Sequence, residues 1–172
     1  LGKENFNVVV GNPPFGDTIK EGDEDQLGKS SLEDFEVSAG RSQIPSEHII
    51  VEKSIKMLKD DGLLGLVLPD GVFNNQGELS NCPLLRNYLV KQGRVLAVVS
   101  LPDYAFRKSG AQNKTSILFF QKFNYDQRTA FENAYDAQIA NGASDEQAII
   151  AALSANPYRV FMAEANFIGY SS

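Results

Sequence analysis

The sequence predicts an α/β fold with a mostly parallel sheet, an antiparallel final strand, flanking helices and a small helical tail. Three observations support this prediction. Strand-like apolar runs alternate with helix-like segments over residues 6–101. Most connections between them are short, which is typical of right-handed βαβ units. The last two strands before the tail are joined by one loop without a helix, so we expect them to pair antiparallel.

The first predicted strand, residues 7–10, is a β-branched run that stops abruptly at Gly11 and Asn12, followed by two prolines. This pattern indicates a buried strand that ends in a turn. Residues 16–46 have no usable periodicity and are rich in Gly, Ser and charged residues. Because a stretch of this length without structure is uncommon inside a compact domain, we expect a functional excursion or a mobile insert.

A helix is predicted from residue 47 to about residue 60, with Ser46 as its N-terminal cap and Gly62 as its C-terminal stop. The continuous apolar run 63–68 follows, bounded by Gly62 and Pro69. Such a run is typical of a strand that is covered on both faces.

The second half of the sheet is predicted in the same way. A helix over 83–91 ends at Gly93, and strands follow over 95–101 and 115–123. The loop between these strands, 102–114, contains three Lys or Arg residues. In open sheets of this kind ligands bind at the carboxyl ends of the strands, so residues 12–15, 69–73 and 102–106 are the places to search for a site.

The tail changes character after residue 123. Helical spacing of apolar residues predicts a helix over 129–140, and Ser144 with Gln147 forms a capping box for a helix that runs to Ser154. A short strand is predicted over 158–162.

Composition limits the class of protein. The 172 residues suit one globular domain, and the formal net charge is −6. Cys82 and His48 are the only residues of their kinds, so they form neither an intramolecular disulfide nor a Cys/His zinc site. No apolar stretch is long enough to span a membrane and no signal peptide opens the chain, which begins with Leu rather than Met. We therefore expect a cytoplasmic protein of which this chain is a piece.

The turn Asn12, Pro13, Pro14 and Phe15 suits methylation of an amino group that is conjugated to a ring or carbonyl. Such a nitrogen is a poor nucleophile because its lone pair is delocalised. The Asn12 side-chain oxygen and the Pro13 carbonyl offer two acceptors for its N–H groups, and the prolines hold the turn in shape before substrate binds. Phe15 offers a flat surface for stacking a planar base, which a duplex must first flip out. The alternative is an ordinary strand-terminating turn.

These residues belong to a wider resemblance. The chain resembles the N6-adenine DNA methyltransferases, specifically the methylation subunits of type I restriction-modification systems. The segments that carry it are FNVVVGNPPF (6–15), HIIVEKSIKMLKDDGLLGLVLPDGVF (48–73), SLPDYAFRKSGAQNKTSILFFQK (100–122) and RVFMAEANFIGYS (159–171). The resemblance implies a Rossmann-like class I methyltransferase sheet, S-adenosylmethionine as cofactor, adenine N6 in DNA as substrate, a specificity subunit as partner and a restriction subunit as a further partner.

The resemblance also implies roles for particular residues. Asn12, Pro13, Pro14 and Phe15 match the catalytic turn of the family. Phe106 lies in the loop where related enzymes place an aromatic ring against the flipped base, although an apolar loop anchor is an equally good interpretation. Pro69 and Asp70 match a strand end near the active site, where Asp70 is best interpreted as a helix cap or turn residue.

One departure from the family is the missing cofactor motif. No G-x-G occurs anywhere in the chain, although the family has a Gly-rich turn after an earlier strand. We therefore expect residues 1–123, with an acidic insert at 16–46, to be the C-terminal half of a catalytic domain. Residues 124–172 form a helical extension and short strand of the same domain. The isolated piece should bind S-adenosylmethionine negligibly and be inactive.

Two other functions remain open at this stage. Methyltransferases that act on ribosomal RNA or on a protein glutamine use a similar turn, and a non-catalytic interaction module could keep the same fold. The insert at 16–46 and the tail fit the type I family better.

The distribution of charge along the chain changes the interpretation of the negative net charge. Residues 16–36 hold eight acidic residues against two lysines, whereas residues 86–128 hold eight basic residues against two aspartates. The alternative is that both segments are ordinary solvated surfaces. Our hypothesis is that Arg107, Lys108 and Lys114 contact DNA phosphates, while the acidic insert is disordered or docks elsewhere.

Overall fold

A mixed sheet is the centre of the computed structural model, which describes residues 6–22, 31–106 and 114–169. The strands are β1 (Phe6–Gly11), β2 (Thr18–Lys20), β3 (Gln43–Pro45), β4 (Leu58–Pro69), β5 (Gly93–Ser100), β6 (Thr115–Lys122) and β7 (Phe161–Glu164). The helices are α1 (Ser46–Met57), α2 (Gly71–Asn74), α3 (Cys82–Gln92), α4 (Tyr125–Ala140) and α5 (Asp145–Ala155). None of the helices in the described part of the chain has the length and apolar character needed to cross a membrane.

The main sheet has the strand order β1-β4-β6-β5-β7. β1 pairs parallel with β4, and β5 pairs parallel with β7, while β6 pairs antiparallel with both β4 and β5. This confirms the predicted α/β class and the antiparallel pairing of the final strand before the tail. The carboxyl ends of four strands, at Gly11, Pro69, Ser100 and Glu164, consequently lie along one edge of the sheet, which we call the site edge.

The core lies between one face of the sheet and the helices α1 and α3. Leu64, Leu66 and Leu68 of β4 alternate toward this side and are almost fully buried. They belong to one cluster with apolar residues of both helices, including Ile55 and Leu85. Each such side chain contributes about 1.5–3 kcal/mol by leaving water, so this single layer accounts for much of the stability.

The opposite face of the sheet is uncovered in the described residues. The predictions that β1 is buried and that β4 is covered on both faces are therefore wrong. β1 is an edge strand rather than a buried one, and Val10 is 76% exposed. β4 is covered on one face only, with Leu63 43% exposed on the other. We call this surface the open face; its exposed apolar residues are Val8, Val10, Leu63, Phe119 and Phe161. An apolar run indicates a strand, but only a second layer of structure would bury both sides.

The expectation that residues 16–46 lack structure is wrong for the part that is described. β2 and β3 pair antiparallel, and two 3-10 turns, Leu32–Asp34 and Glu36–Ser38, lie between them in the chain. The segment is anchored by its few apolar side chains, since Leu32, Phe35, Val37 and Ile44 are buried. Scattered single anchors produce no periodicity, which is why the sequence pattern did not reveal them.

The boundaries of α1 also differ from the prediction. The helix starts at Ser46, whose hydroxyl makes no capping bond, and it ends at Met57 rather than near residue 60. The chain turns sharply after the helix, because Asp61 adopts a positive φ of 60° and a Cβ on Gly62 would lie 2.8 Å from the Lys59 carbonyl oxygen. Gly62 therefore marks this turn into the sheet instead of the end of the helix.

Helices α3, α4 and α5 agree with the prediction, whereas the short helix α2 was not predicted. α3 ends with Gly93 at its C-cap, and Ser144 caps α5 through the predicted capping box with Gln147. α4 begins earlier than predicted because Asn124 and Gln127 form a second capping box. β7 begins three residues later and ends two residues later than predicted, and it extends the main sheet beyond β5.

Candidate active site

The Asn12 turn leaves β1 at the site edge. Asn12 and Pro14 are exposed, Phe15 is half-buried and Pro13 is buried. The polar side chain therefore faces solvent, where a substrate can reach it, while Pro13 fixes the turn to the protein. Gly16 follows with a φ of 84°, a conformation that an L side chain adopts only with strain.

The start of α1 packs behind this turn. The Ser46 backbone N–H donates to the Asp17 carbonyl oxygen at 2.9 Å, and the Glu47 carboxylate accepts a hydrogen bond from the Gly16 backbone N–H. Burial raises the pKa of Glu47, and the charge of Asp17 adds to this effect. Among the described residues, Ser46 Oγ and Glu47 Oε2 are buried without a hydrogen-bond partner. Glu47 belongs to no sequence motif and was not predicted; its only signal in the sequence is a carboxylate in the first turn of a helix.

Asp70, at the end of β4, links two strands of the site edge. Its Oδ1 accepts from the Ser116 hydroxyl at 2.6 Å, and its Oδ2 accepts from the Asn74 amide at 2.8 Å. Its backbone N–H donates to the Lys114 carbonyl oxygen at 2.9 Å. Asp70 occupies the N-cap position of α2, but its side chain makes no capping bond. The prediction that Asp70 caps a helix is therefore correct for its position, but its side chain does not cap the helix. The side chain instead holds the start of β6 against β4.

Phe106 follows a short turn after β5. The Leu101 N–H donates to the Thr115 carbonyl oxygen at 2.9 Å, and the Ala105 N–H donates to the Pro102 carbonyl oxygen at 2.9 Å. Ala105 is buried and anchors the turn, whereas Phe106 is half-buried. The three predicted strand ends thus all reach the site edge, although β6 separates the ends of β4 and β5.

The proposed phosphate contacts are described only at Lys114. Its ammonium group forms an ion pair with Glu164 Oε1 at 3.1 Å, and this hydrogen bond raises the pKa of Lys114. Both side chains are well exposed, so the pair is weak and a phosphate can replace the carboxylate. Arg107 and Lys108 lie outside the described residues.

Several other basic residues of 86–128 have structural partners. Arg86 donates to the Val72 carbonyl oxygen at 2.8 Å, and Lys122 is buried with its ammonium 2.9 Å from the Leu58 carbonyl oxygen. Arg128 pairs with Asp60 at 2.7 Å, at the end of β4 remote from the site edge. The charge count of this segment therefore overstates the basic surface that is available to nucleic acid.

The Gly-rich cofactor motif of the family does not occur in the sequence of this chain. No G-x-G occurs in the chain, and β1, which carries the Asn12 turn, is an edge strand without a neighbour on its outer side among the described residues.

The comparisons with known proteins decide the family. The family model "N-6 DNA Methylase" matches residues 2–151, which is most of the chain. The chain belongs to the N-6 DNA methylase family. This confirms the resemblance inferred from the Asn12 turn and the other motifs.

Individual relatives agree with this membership. The chain is 29% identical over 119 residues to the Type I restriction enzyme EcoEI methylase subunit of Escherichia coli, covering 69% of this chain and 21% of that protein. It is 26% identical over 129 residues to the Type II restriction enzyme and methyltransferase RM.Eco57I of Escherichia coli, covering 74% of this chain and 12% of that protein. The chain thus spans about a fifth or less of the length of these two relatives.

Solved structures agree on the fold. A class I S-adenosylmethionine-dependent methyltransferase from Listeria monocytogenes matches 97% of this chain and 39% of its own, with a TM-score of 0.63 and 17% identity. A chain from a type I R-M system matches 69% of this chain and 22% of its own, with a TM-score of 0.52 and 28% identity. The sheet described above therefore has the fold found in these two solved structures.

Proposed function

We propose that this chain is the C-terminal half of the catalytic domain of a DNA methyltransferase that modifies adenine N6 in a restriction-modification system. The observation that carries the proposal is the position of the Asn12 turn, at the end of a parallel strand in a class I methyltransferase sheet of this family. The exposed amide of Asn12 and the buried ring of Pro13 suit a turn that is preformed and open to substrate.

The chemistry of this turn follows from its acceptors. The Asn12 Oδ1 and the Pro13 carbonyl oxygen each accept a hydrogen bond from one of the two N–H groups of the adenine amino group. This orients the nitrogen lone pair away from the ring and raises electron density on the nitrogen as its bond to the methyl group forms. Phe15 and Phe106 stack on the flipped base. S-adenosylmethionine, which we assign to residues outside this chain, would supply the methyl group. The N–C bond would form as the methyl carbon–sulfur bond breaks, so that the sulfonium leaves as the neutral thioether of S-adenosylhomocysteine. The methylated nitrogen would then lose one proton to solvent.

The open face supports the proposal that the rest of the domain lies elsewhere. Among the described residues nothing covers the face that exposes Val8, Leu63, Phe119 and Phe161, and the edge strand β1 can accept another strand. Accordingly, residues 1–123 with the acidic insert 16–46 form the C-terminal half of the catalytic domain. Residues 124–172 extend the same domain.

The partners follow from the same proposal. The whole enzyme acts on DNA in the cytoplasm with a specificity subunit, and with a restriction subunit as a further partner; the type I methylase relative supports this assignment. Arg107, Lys108 and Lys114 contact the DNA phosphates beside the flipped base.

The decisive experiment is Asn12→Ala in the full-length protein assembled with its partners. Loss of one well-placed acceptor should lower the methylation rate of plasmid DNA by about a hundredfold. Asn133→Ala, at an exposed asparagine of α4, is the matched control and should leave the rate unchanged. An unchanged rate in Asn12→Ala would instead favour a non-catalytic interaction module.

The substrate class and the missing half are tested separately. Plasmid DNA, ribosomal RNA and a release factor are offered in parallel, and methylation of either alternative substrate in preference to DNA contradicts the proposal. Calorimetric titration of the isolated chain with S-adenosylmethionine should show no binding in the micromolar range. Tight binding by the isolated chain would contradict the assignment of the cofactor site to residues outside it.

A further inference from the structure

The C-terminal strand β7 brings a fourth strand end to the site. It pairs parallel with β5 in the register Val99↔Ala163 and Ser100↔Glu164, so both strands end at the same level of the site edge. The residues that follow, 164–166, which we call the brace segment, therefore lie beside residues 101–106, which we call the Phe106 turn. The sequence did not predict a role in the site for the brace segment.

Three contacts connect the brace segment to this turn. The Ala165 N–H donates to the Ser100 carbonyl oxygen at 2.8 Å, immediately before the turn. The Tyr104 hydroxyl donates to the Asn166 carbonyl oxygen at 3.3 Å, within the turn. Glu164 pairs with Lys114 at 3.1 Å, where the chain enters β6. The contacts thus reach residues on both sides of Phe106 in the chain.

The part of the tail that leads to the brace segment is attached to the body of the protein. Asp145, at the start of α5, accepts hydrogen bonds from Lys91 of α3 and from Tyr135 of α4, each at 2.5 Å. The Val95 N–H donates to the Tyr158 hydroxyl at 3.5 Å, just before β7. The tail therefore connects the sheet and its helices to the Phe106 turn.

We propose that the brace segment is a positioning element that holds the Phe106 turn in the geometry needed for the flipped base. This inference rests on the proposed function. The two side-chain contacts, of Tyr104 and of Glu164, are individually weak because they are exposed to solvent. Together with the backbone bond between Ala165 and Ser100 they order the turn before DNA binds. Ordering a loop in advance removes an entropy cost from the bound state and fixes the aromatic ring relative to the Asn12 turn.

The variants that test the brace leave the core intact. Tyr104→Phe removes the hydroxyl donor and keeps the ring, and Glu164→Gln removes the charge and keeps the shape; the double variant combines both. The matched controls are Tyr125→Phe at an exposed tyrosine of α4 and Glu146→Gln at an exposed glutamate of α5.

The first measurement needs no substrate. In the full-length protein without DNA or cofactor, amide hydrogen exchange should become several-fold faster at residues 100–106 and at Ala165 in the double variant, while exchange in α1 and α3 and in both controls stays unchanged. Unchanged exchange at residues 100–106 in the double variant would overturn the brace.

The second measurement uses the full-length protein assembled with its partners. With a duplex carrying 2-aminopurine at the target position, the double variant should leave the flipped base less stacked, and its fluorescence should rise above that of the wild type. The methylation kcat should fall about three- to tenfold with KM for S-adenosylmethionine unchanged. Faster exchange with unchanged kcat would overturn the positioning role. If exchange is faster in the double variant but the wild-type assembly does not methylate DNA, the proposed function is wrong and the brace contacts remain.

Discussion

One oxygen of the Glu52 carboxylate accepts a hydrogen bond from the Val37 backbone N–H at 2.9 Å in the interior of the protein. The other oxygen accepts from the Glu36 N–H at 3.1 Å, and Lys56 pairs with it at 2.6 Å. Helix α1, which carries Glu52, therefore holds the second 3-10 turn, Glu36–Ser38. This turn lies in the segment between the Asn12 turn and α1. The acidic insert, expected to be disordered or to dock elsewhere, docks on α1 where it is described.

Glu52→Ala should detach this segment. The substitution leaves the N–H groups of Glu36 and Val37 without their acceptor, so the free energy of unfolding should fall by about 3 kcal/mol in chemical denaturation. Limited proteolysis should then cleave within residues 31–45 while α1 and the sheet stay intact. Glu132→Ala on the exposed face of α4 is the control, with an effect below about 0.5 kcal/mol. Equal stability of the two variants would contradict a structural role for Glu52.

His48 should make stability depend on acid. Burial, with the charge of Arg41 adding to it, lowers the pKa of His48 from 6.5 to about 4. The unfolded chain therefore takes up the proton first as the pH falls, and acidification from 6.5 toward 4 should cost about 3 kcal/mol of stability. In His48→Gln, the plot of unfolding free energy against pH should lose this part of its slope. Parallel curves for wild type and variant would contradict the prediction.

Glu47 should act in the opposite direction. Because burial raises its pKa in the folded state, its contribution to stability is greatest below the ordinary carboxyl pKa of 4.5 and is lost as the pH rises through the raised pKa. Glu47→Gln should therefore melt at a higher temperature than wild type at pH 7, and the difference should close at acidic pH. Glu146→Gln, at an exposed site, should show no such pH-dependent difference. Destabilisation of Glu47→Gln at pH 7 would show that the ionised carboxylate is required.

The Asp70–Ser116 contact should appear as a coupling energy. Ser116 is buried and its hydroxyl donates to a carboxylate, so Ser116→Ala should cost about 1.5–3 kcal/mol. Asp70→Asn should cost less, since its amide oxygen can still accept. In a double-mutant cycle of Ser116→Ala and Asp70→Ala, the coupling should be about 1 kcal/mol or more. Additive effects would mean that the strand ends are held together by the backbone bonds alone.

The basic residues near Phe106 should determine the salt dependence of DNA binding. Neutralising Arg107, Lys108 and Lys114 to Gln in the assembled enzyme should weaken binding and reduce the slope of log K against log salt by about 2–3. The control is Lys59→Gln, at the end of β4 that is remote from the site edge. An unchanged slope in the triple variant would remove these residues from the DNA interface.

Much of the local structure could be predicted because it depends on neighbouring residues. The capping box of Ser144 and Gln147 and the stop at Gly93 act within one helical turn, so the sequence is sufficient to identify them. The edge position of β1 could not be predicted in this way. Its run of valines is compatible with either a central or an edge strand, and only the presence of neighbouring layers distinguishes the two.

The candidate site divides in the same way. The chemistry that we propose for Asn12, Pro13, Pro14 and Phe15 depends on four consecutive residues at a strand end, and the family follows from motifs that are continuous in the chain. Its supports are not continuous: Glu47 lies behind the turn, Ser116 fixes Asp70 across two strands, and Glu164 pairs with Lys114 from the tail. The sequence by itself determines helix caps and local turns, because these depend on the backbone preferences of a few neighbouring residues. The partners of these carboxylates are decided only when distant segments pack, because sheet order and burial choose which groups come within hydrogen-bonding distance.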